Sequence, residues 1–244
     1  MHSDILNFTE NPIIDEGIEK YEWYKYEPDS GTKLNNTGEI YINIRQQDQY
    51  CHPAESYLQF EGRLTKDDGT AYADADVATL THNGIMHLFG TFEYRIADKS
   101  LESLNHPGQA TTMIGMLKYP NDFQLAQGLN QLWYKDTTST ASLDNNLGYK
   151  IRHSYIITKP TDKGKFSFVI PLKHIFGFSD DYDKVIYGVK HTLKLTRKSD
   201  SDAIYRAHAA AIVKVTLDSI SWYMPQVMPS NLERLELLKT IEKM

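Results

Sequence analysis

The sequence predicts an all-β sandwich, because apolar side chains alternate with polar ones along many short segments. In the N-terminal half the alternation is clearest in segments 39–45, 56–64 and 91–96. Turn residues separate such segments, as at Asp67-Asp68-Gly69, where glycine supplies the backbone conformation of a tight turn. Eight strands of this kind in two sheets form a jelly roll. The pattern alone leaves the jelly roll and the immunoglobulin-like sandwich as alternatives.

Four further strands are predicted in the C-terminal half. They cover 151–157, 166–170, 185–195 and a last strand from Val213 to Trp222. Within the last strand the apolar positions change from odd to even numbers between Leu217 and Ile220. One extra residue in a β-bulge accounts for such a change. Pro225 and Pro229 are expected to end this strand, because proline lacks the N–H group that a sheet needs.

Apolar residues spaced three and four apart predict several short helices. These helices cover 111–118, 123–133, 171–176 and 231–243. The second is interrupted at Gly128, and Gly177 ends the third. Ser230 and Glu233 fit a capping box at the start of the last helix, since each side chain can satisfy a free backbone amide.

Composition and charge argue against several classes of protein. The hydrophobic fraction of 41% suffices for a packed core and is too high for a disordered chain. The net charge of −6 argues against strong direct nucleic-acid binding, which needs clustered lysine and arginine. No apolar segment approaches the ~20 residues that cross a membrane, and the first residues lack the features of a secretion signal. We expect a soluble protein that is made and assembled inside a cell, without a membrane partner.

The residue types that commonly carry chemistry are not arranged as a site. Cys51 is the only cysteine, so one chain can form neither a disulfide nor a cysteine-based zinc site. The adjacent His52 does not indicate a protease, because a nucleophile and its base usually come from separate segments. His82 and His87 are five residues apart, which suits a metal site on neither a helix nor a strand. His191 lies on an apolar strand face and is interpreted as a core histidine. We predict no catalytic residues, no metal and no cofactor.

Two segments carry apolar side chains that have no obvious place in a single sandwich. Tyr21, Trp23, Tyr24 and Tyr26 cluster before the first predicted strand, and Leu235 and Leu238 lie on the apolar stripe of the C-terminal helix. We predict these six residues as assembly contacts. In the alternative interpretation, the aromatic residues pack on their own domain and the helix packs on its own sandwich.

Several motifs follow one another in the order typical of one family. They are Gln46-Gln47-Asp48-Gln49-Tyr50, Ser56-Tyr57-Leu58-Gln59-Phe60-Glu61-Gly62, Asn83-Gly84-Ile85-Met86-His87-Leu88-Phe89, Pro171-Leu172 through Asp181-Tyr182, and Trp222-Tyr223-Met224-Pro225 before a leucine-rich helix. In this order, over residues 18–243, the chain resembles the double jelly-roll capsid-like proteins of polinton-type viruses and of virus-derived elements in animal genomes. Each motif is structural and weak alone. Segment 95–99 departs from the family, which often has a polar hairpin ending in Asp-Arg there.

The resemblance implies a jelly-roll sandwich of about eight antiparallel strands, with short helices and a C-terminal helix. The chain then divides into an N-terminal arm at 1–33, a jelly-roll domain at 34–229 and a connecting helix at 230–244. The family carries two rolls in tandem, of which this chain matches the first. Its capsid proteins form trimers whose rolls make a pseudo-hexagonal block. A single roll therefore needs self-association, or a partner with a second roll, to build a shell. The expected location is the virion, or the cytoplasm or nucleus of a host cell.

Two other functions stay open at this stage. A β-sandwich binding module would recognise a carbohydrate or a protein, and exposed aromatic residues clustered on one sheet face would favour it. An enzyme on a jelly-roll scaffold, as in cupins, would need histidine and carboxylate side chains that converge on a metal inside the roll.

Overall fold

A computed structural model describes residues 17–29, 32–46, 48–207 and 213–241, apart from three side chains in the last helix. The strands in these ranges are β1 Ile18–Tyr26, β2 Gly38–Ile44, β3 Tyr50–Cys51, β4 Tyr57–Lys66, β5 Ala78–Leu80, β6 Phe89–Ile96, β7 Lys99–Asn105, β8 Lys165–Pro171, β9 Ile186–Tyr187, β10 His191–Arg197, β11 Ile204–Arg206 and β12 Val213–Pro229. The α-helices are α1 Pro107–Lys118, α2 Phe123–Ala126, α3 Leu147–Ile156, α4 Gly177–Asp181 and α5 Asn231–Ile241.

The strands form an antiparallel jelly-roll sandwich, which confirms the predicted fold class. The larger sheet has the order β8-β4-β12-β3-β9, and β1 pairs with β12 beside this path. The facing sheet has the order β2-β10-β6-β7, and β5 with β11 form a small separate ribbon. The apolar faces of the two large sheets meet in one core, to which Phe60, Phe92, Leu193 and Trp222 contribute fully buried side chains. Burial of these large side chains is the main stabilising term of such a sandwich.

The predicted β-bulge in the last strand is confirmed. The pairing of β12 with β4 shifts register between Leu217 and Ser219, so that Asp218 is the extra residue. Leu217 before the bulge and Ile220 after it are both buried in the core. The bulge therefore keeps one face of a 17-residue strand apolar although the sequence changes phase.

Pro225 does not end β12, contrary to the prediction, whereas Pro229 does. The carbonyl oxygen of Pro225 accepts a hydrogen bond of 3.0 Å from the backbone N–H of His52. A short 3₁₀ turn at Pro53–Glu55 separates β3 from β4 at this level. A proline is tolerated inside the sheet because the ladder opposite it is interrupted there.

The predicted strand over 151–157 is wrong, because residues 151–156 belong to α3 and Ile157 follows its end. The side-chain oxygen of Asn146 accepts from the backbone N–H of Tyr149 at 3.1 Å and caps the start of the helix. Tyr149, Arg152, His153 and Ile156 are buried, at the spacing of a helix face. The alternation of apolar residues at 151–157 thus occurs inside a helix.

The long strand predicted over 185–195 is in fact two strands in different sheets. β9 pairs with β3, whereas β10 lies between β2 and β6. Gly188 separates them with a φ of +79°, a conformation that favours glycine. The predicted helix over 171–176 is a single 3₁₀ turn at Leu172–His174, and Gly177 begins α4 instead of closing that turn.

β6 and β7 form a hairpin, whose turn lies in the segment where the motifs depart from the family. Ala97 and Asp98 make its tight turn with φ values of +49° and +63°. Positive φ at both central residues is typical of a two-residue hairpin turn. The hairpin is present without the expected Asp-Arg ending, and β7 was not predicted from the sequence.

Side chains cover two edges of the larger sheet. Along β8, the Ser167 carbonyl accepts from the Tyr155 hydroxyl at 3.0 Å, and the Lys165 carbonyl accepts from Lys159 Nζ at 2.7 Å. In the first half of β12, the amide side chain of Asn35 bonds both the N–H and the carbonyl of Leu217, at 2.7 and 3.0 Å. These contacts occupy backbone groups that would otherwise accept another strand.

Candidate assembly surface

β1 contains all four aromatic residues that were predicted as contacts. It pairs antiparallel with the second half of β12, from Tyr26 opposite Trp222 to Ile18 opposite Pro229. Tyr21 and Trp23 are 42% and 44% exposed, although large aromatic side chains are usually buried. The predicted arm therefore includes a strand of the larger sheet, and residues 1–16 lie outside the described residues. The domain boundaries themselves stay a prediction.

An aromatic row crosses the outer face of the larger sheet. The ring of Trp23 lies 5.1 Å from the ring of Tyr57, which stacks on Tyr223 at 4.9 Å. Tyr21 meets Trp23 edge-on, with 6.3 Å between the ring centres. Offset and edge-to-face pairs of this kind stabilise each other and hold the rings in place. The row is thus an ordered apolar strip on the surface.

Tyr24 and Tyr26 lie on the opposite face of β1. Tyr24 is exposed, and its hydroxyl donates to the Glu22 carboxylate at 2.9 Å. Tyr26 is half-buried against the core, where its hydroxyl accepts from Gln226 at 2.6 Å. Burial raises the pKa of Tyr26 to about 12. Of the four predicted aromatic contacts, Tyr26 therefore packs on its own domain, whereas the other three face solvent.

A groove of about 430 Å³ separates β1 from the start of α5 and the segment before β9. His52 lies on its wall, where Nδ1 is 3.3 Å from the Tyr21 hydroxyl and Nε2 is 2.7 Å from Asp183. Val185 and Leu237 contribute apolar surface. His52 thus links β1 to the segment before β9 and holds Tyr21, the end residue of the aromatic row, in place.

α5 begins as predicted and exposes apolar side chains. The backbone N–H of Glu233 donates to Ser230 Oγ at 3.4 Å, one half of the predicted capping box. Leu232 and Leu235 are exposed, the latter by 57%. The side chain of Leu238 lies outside the described residues. Leu235 is thus available to a partner, and its role as a contact stays a prediction.

A second apolar surface was not predicted from the sequence. α1 buries small residues, Thr111 and Gly115 among them, and a side chain at Gly115 would collide with the ring of Trp133. The large apolar residues of α1 and the following turns point outward instead: Met113, Ile114, Met116, Leu117, Leu125 and Leu129. Leu117 is 90% exposed. The apolar spacing of 111–118 predicted the helix correctly and indicated the wrong face as buried.

Cys51 and three histidines, His82, His153 and His191, are buried. His191 Nδ1 is 2.7 Å from the Tyr94 hydroxyl, as expected for a core histidine, and burial lowers its pKa to about 4. Burial raises the pKa of the Cys51 thiol to about 11, which makes the thiolate unfavourable. Across the described ranges, no group of three or more His, Cys, Asp or Glu side chains is placed to hold a metal ion. Within the same ranges, no helix has the length and apolarity to cross a membrane.

Comparison with known proteins bears on the fold. Residues 134–244 match the family model described as "Double jelly roll-like domain". A chain in the structure of the Sputnik virophage matches with a TM-score of 0.61 at 11% identity, over 93% of this chain and 51% of that one. This chain has the jelly-roll fold of capsid proteins. The predicted resemblance to double jelly-roll capsid-like proteins is thus confirmed by the family model over residues 134–244 and by the fold.

Two major capsid proteins show the same fold. That of Faustovirus matches with a TM-score of 0.52 at 9% identity, over 93% of this chain and 58% of that one. That of mavirus matches with a TM-score of 0.50 at 15% identity, over 93% of this chain and 50% of that one. This chain thus spans about half the length of these structures. No curated protein matches it.

Proposed function

We propose that this chain is a structural, non-enzymatic subunit of a viral or virus-derived shell. It self-associates, as a trimer or pseudo-hexamer, or it pairs with a partner that carries a second jelly roll. The observation that supports this most is a capsid-type fold that leaves ordered apolar side chains on its surface. Contiguous exposed apolar surface marks an interaction site in a globular protein.

The proposed contacts are the aromatic residues of β1 and the exposed stripe of α5. Tyr21, Trp23 and Tyr24 contribute exposed rings, and Tyr26 anchors the strand beneath them. On α5, Leu235 contributes its exposed side chain, and Leu238 lies one turn further along the predicted stripe. Aromatic side chains bury much area at little entropic cost, which makes them frequent at the centres of interfaces.

Charge and location follow from the same proposal. The net charge of −6 disfavours strong binding to nucleic acid, so the shell would enclose a genome without this domain holding it directly. The proposed location is the virion, or the cytoplasm or nucleus of a host cell during assembly.

The test is the solution mass, measured by light scattering on a sizing column over a wide range of protein concentration. A discrete trimer, hexamer or larger shell is expected from the chain alone or with a second-roll partner. Leu235→Gln should lower the assembled fraction, and Lys239→Gln on the same helix is the matched control. A monomer at every concentration, with no partner recovered by affinity capture, would refute the proposal.

The aromatic row also favours the alternative of a carbohydrate-binding module. Tyr21, Trp23, Tyr57 and Tyr223 form the cluster on one sheet face that such a module would use. Sugar rings stack on flat aromatic surfaces of this kind through their apolar faces. Titration with a panel of oligosaccharides, followed by tryptophan fluorescence, tests it. Saturable quenching that Tyr57→Ala abolishes, with Trp23 kept as the reporter, would support a binding module instead of a shell subunit.

A further inference from the structure

The N–H and carbonyl groups of β1 that point away from β12 can be identified from one hydrogen bond, that of Pro225 in β12. Because the Pro225 carbonyl bonds His52, the odd-numbered residues of this part of β12 point their backbone groups toward β3. The even-numbered residues therefore point toward β1, where Gln226 lies opposite Glu22. It follows that the N–H and carbonyl groups of Tyr21 and Trp23 point away from β12, to the open side.

This edge differs from two other edges of the same sheet. Side chains bond two carbonyls of β8, those of Lys165 and Ser167, and both outward groups of Leu217 in β12. In the described part of the chain, by contrast, no group bonds the outward backbone atoms of Tyr21 or Trp23. An unprotected edge with apolar side chains readily pairs with another strand.

The sequence of β1 is complementary to itself when two copies run antiparallel. When the two-fold axis passes through Glu22, Tyr21 of each copy lies opposite Trp23 of the other copy. The dimer therefore contains two such aromatic pairs. Lys20 then lies opposite Tyr24, and Lys25 lies opposite the acidic Glu19. Aromatic pairs and opposite charges stabilise cross-strand positions. In this register Tyr21 and Trp23 exchange backbone hydrogen bonds, because both point their groups outward.

The central pair of carboxylates is the one unfavourable contact in this register. Each Glu22 already bonds Lys20 of its own chain at 2.7 Å and the Tyr24 hydroxyl at 2.9 Å. The two lysines therefore lie beside the two carboxylates across the axis and balance their charge. The pairing stays self-complementary on both faces of the strand.

We propose that two copies of this chain pair through their β1 edges, antiparallel and centred on Glu22, to join their larger sheets into one. This inference rests on the proposed assembly function and names the partner of β1 as a second copy. An isologous contact of this kind closes on itself as a dimer. β-Strand addition supplies affinity through backbone bonds and specificity through side chains.

Disulfide trapping tests the register. In the proposed dimer the two Glu22 residues form a pair without mutual backbone bonds, with Cα atoms about 4.5 Å apart, which suits a disulfide. The two Tyr24 residues are about 14 Å apart. Each lies opposite Lys20 of the other copy, and Lys20 is four residues away from Tyr24 along the same strand. Under mild oxidation, Glu22→Cys should form a covalent dimer and Tyr24→Cys should not. Cross-linking of both variants alike, or of neither, would overturn the proposal.

A proline tests the backbone bonds independently. Trp23→Pro and Trp23→Ala both remove the indole, and only proline also removes the outward N–H. The dissociation constant of the Pro variant should be at least about tenfold higher than that of the Ala variant. Each copy loses one backbone hydrogen bond, so the symmetric dimer loses two. Equal dimerisation of the two variants, with equal thermal stability, would refute edge pairing. If the larger assembly persists in both, the proposed shell function stands while the pairing of β1 fails.

Discussion

Acidification should destabilise the fold well above the pH at which carboxylates titrate. His82, His174 and His191 are mostly buried, and burial lowers their pKa values to about 3, about 4 and about 4. His82 packs on the ring of Trp133 at 4.2 Å, and nearby Arg152 lowers its pKa further. Each ring is therefore held neutral in the folded protein, whereas in the unfolded chain it takes up a proton near pH 6.5.

The size of the effect follows from proton linkage. Since the folded pKa values lie below the unfolded one, stability is complete above about pH 7 and is lost as the pH falls through 6.5 toward 4. At pH 5 each of the three histidines costs about 2 kcal/mol, because 1.36 kcal/mol accompanies each pH unit below 6.5. Their sum, about 6 kcal/mol, is comparable to the whole stability of a typical domain at 5–15 kcal/mol.

Urea unfolding followed by tryptophan fluorescence at pH 7.5, 6 and 5 measures this loss. His82→Phe removes one titrating ring and should reduce the pH dependence by about 2 kcal/mol. His106→Asn is the control, because His106 is exposed and asparagine tolerates its positive φ. An unfolding free energy that does not change between pH 7.5 and 5 would refute the reasoning. A His82→Phe variant with unchanged pH dependence would exclude His82 as a contributor.

Three further predictions concern packing, the sheet edge and the thiol. Gly115→Ala should destabilise the protein by about 1–3 kcal/mol in thermal or urea unfolding, because the added methyl collides with Trp133. Asn35→Ala should cost about 1–3 kcal/mol, because Leu217 loses both of its side-chain hydrogen bonds. Cys51 should react with a disulfide reagent at pH 7.5 only as fast as the protein unfolds, since the thiol is buried.

Each of these predictions has a control. Gly90→Ala should be mild, because the nearest atom to the added methyl would be 3.9 Å away. Asn36→Ala should leave stability unchanged, since Asn36 is exposed. For Cys51, 6 M guanidinium should make the reaction immediate. Rapid labelling of the native protein, or a Gly115→Ala variant as stable as the parent, would contradict the described packing.

The sequence predicted the β elements best where one face is buried and the other exposed. The phase change after Leu217 identified the bulge, because every side chain beyond it had to return to the core. The strand prediction at 151–157 failed because His153 and its neighbours alternate by coincidence. Asn146 was the missed signal, since asparagine before such a segment is a preferred helix cap.

The candidate surface was predictable only in part. Tyr21 and Trp23 were recognised from their clustering, and the structure places both at the surface. The outward face of α1 was not foreseen, because apolar spacing identifies a helix face without showing whether that face is buried. Gly115 determines which face of α1 is buried, since the close approach of Trp133 requires a residue without a side chain. Contacts between distant segments of this kind are not encoded in local periodicity.

The protected edges of the larger sheet set a limit on how copies of this protein can add to one another. A sheet that is open along several edges can be extended repeatedly and leads to fibres. Here Tyr155 and Lys159 occupy backbone groups along β8, and Asn35 does so in the first half of β12, so these two edges are hindered from adding a strand. Pairing of two copies through β1 would in turn use up that edge in both copies. A curved, closed particle would then have to be completed by side-chain contacts, for which the outward residues of α1 and α5 are available.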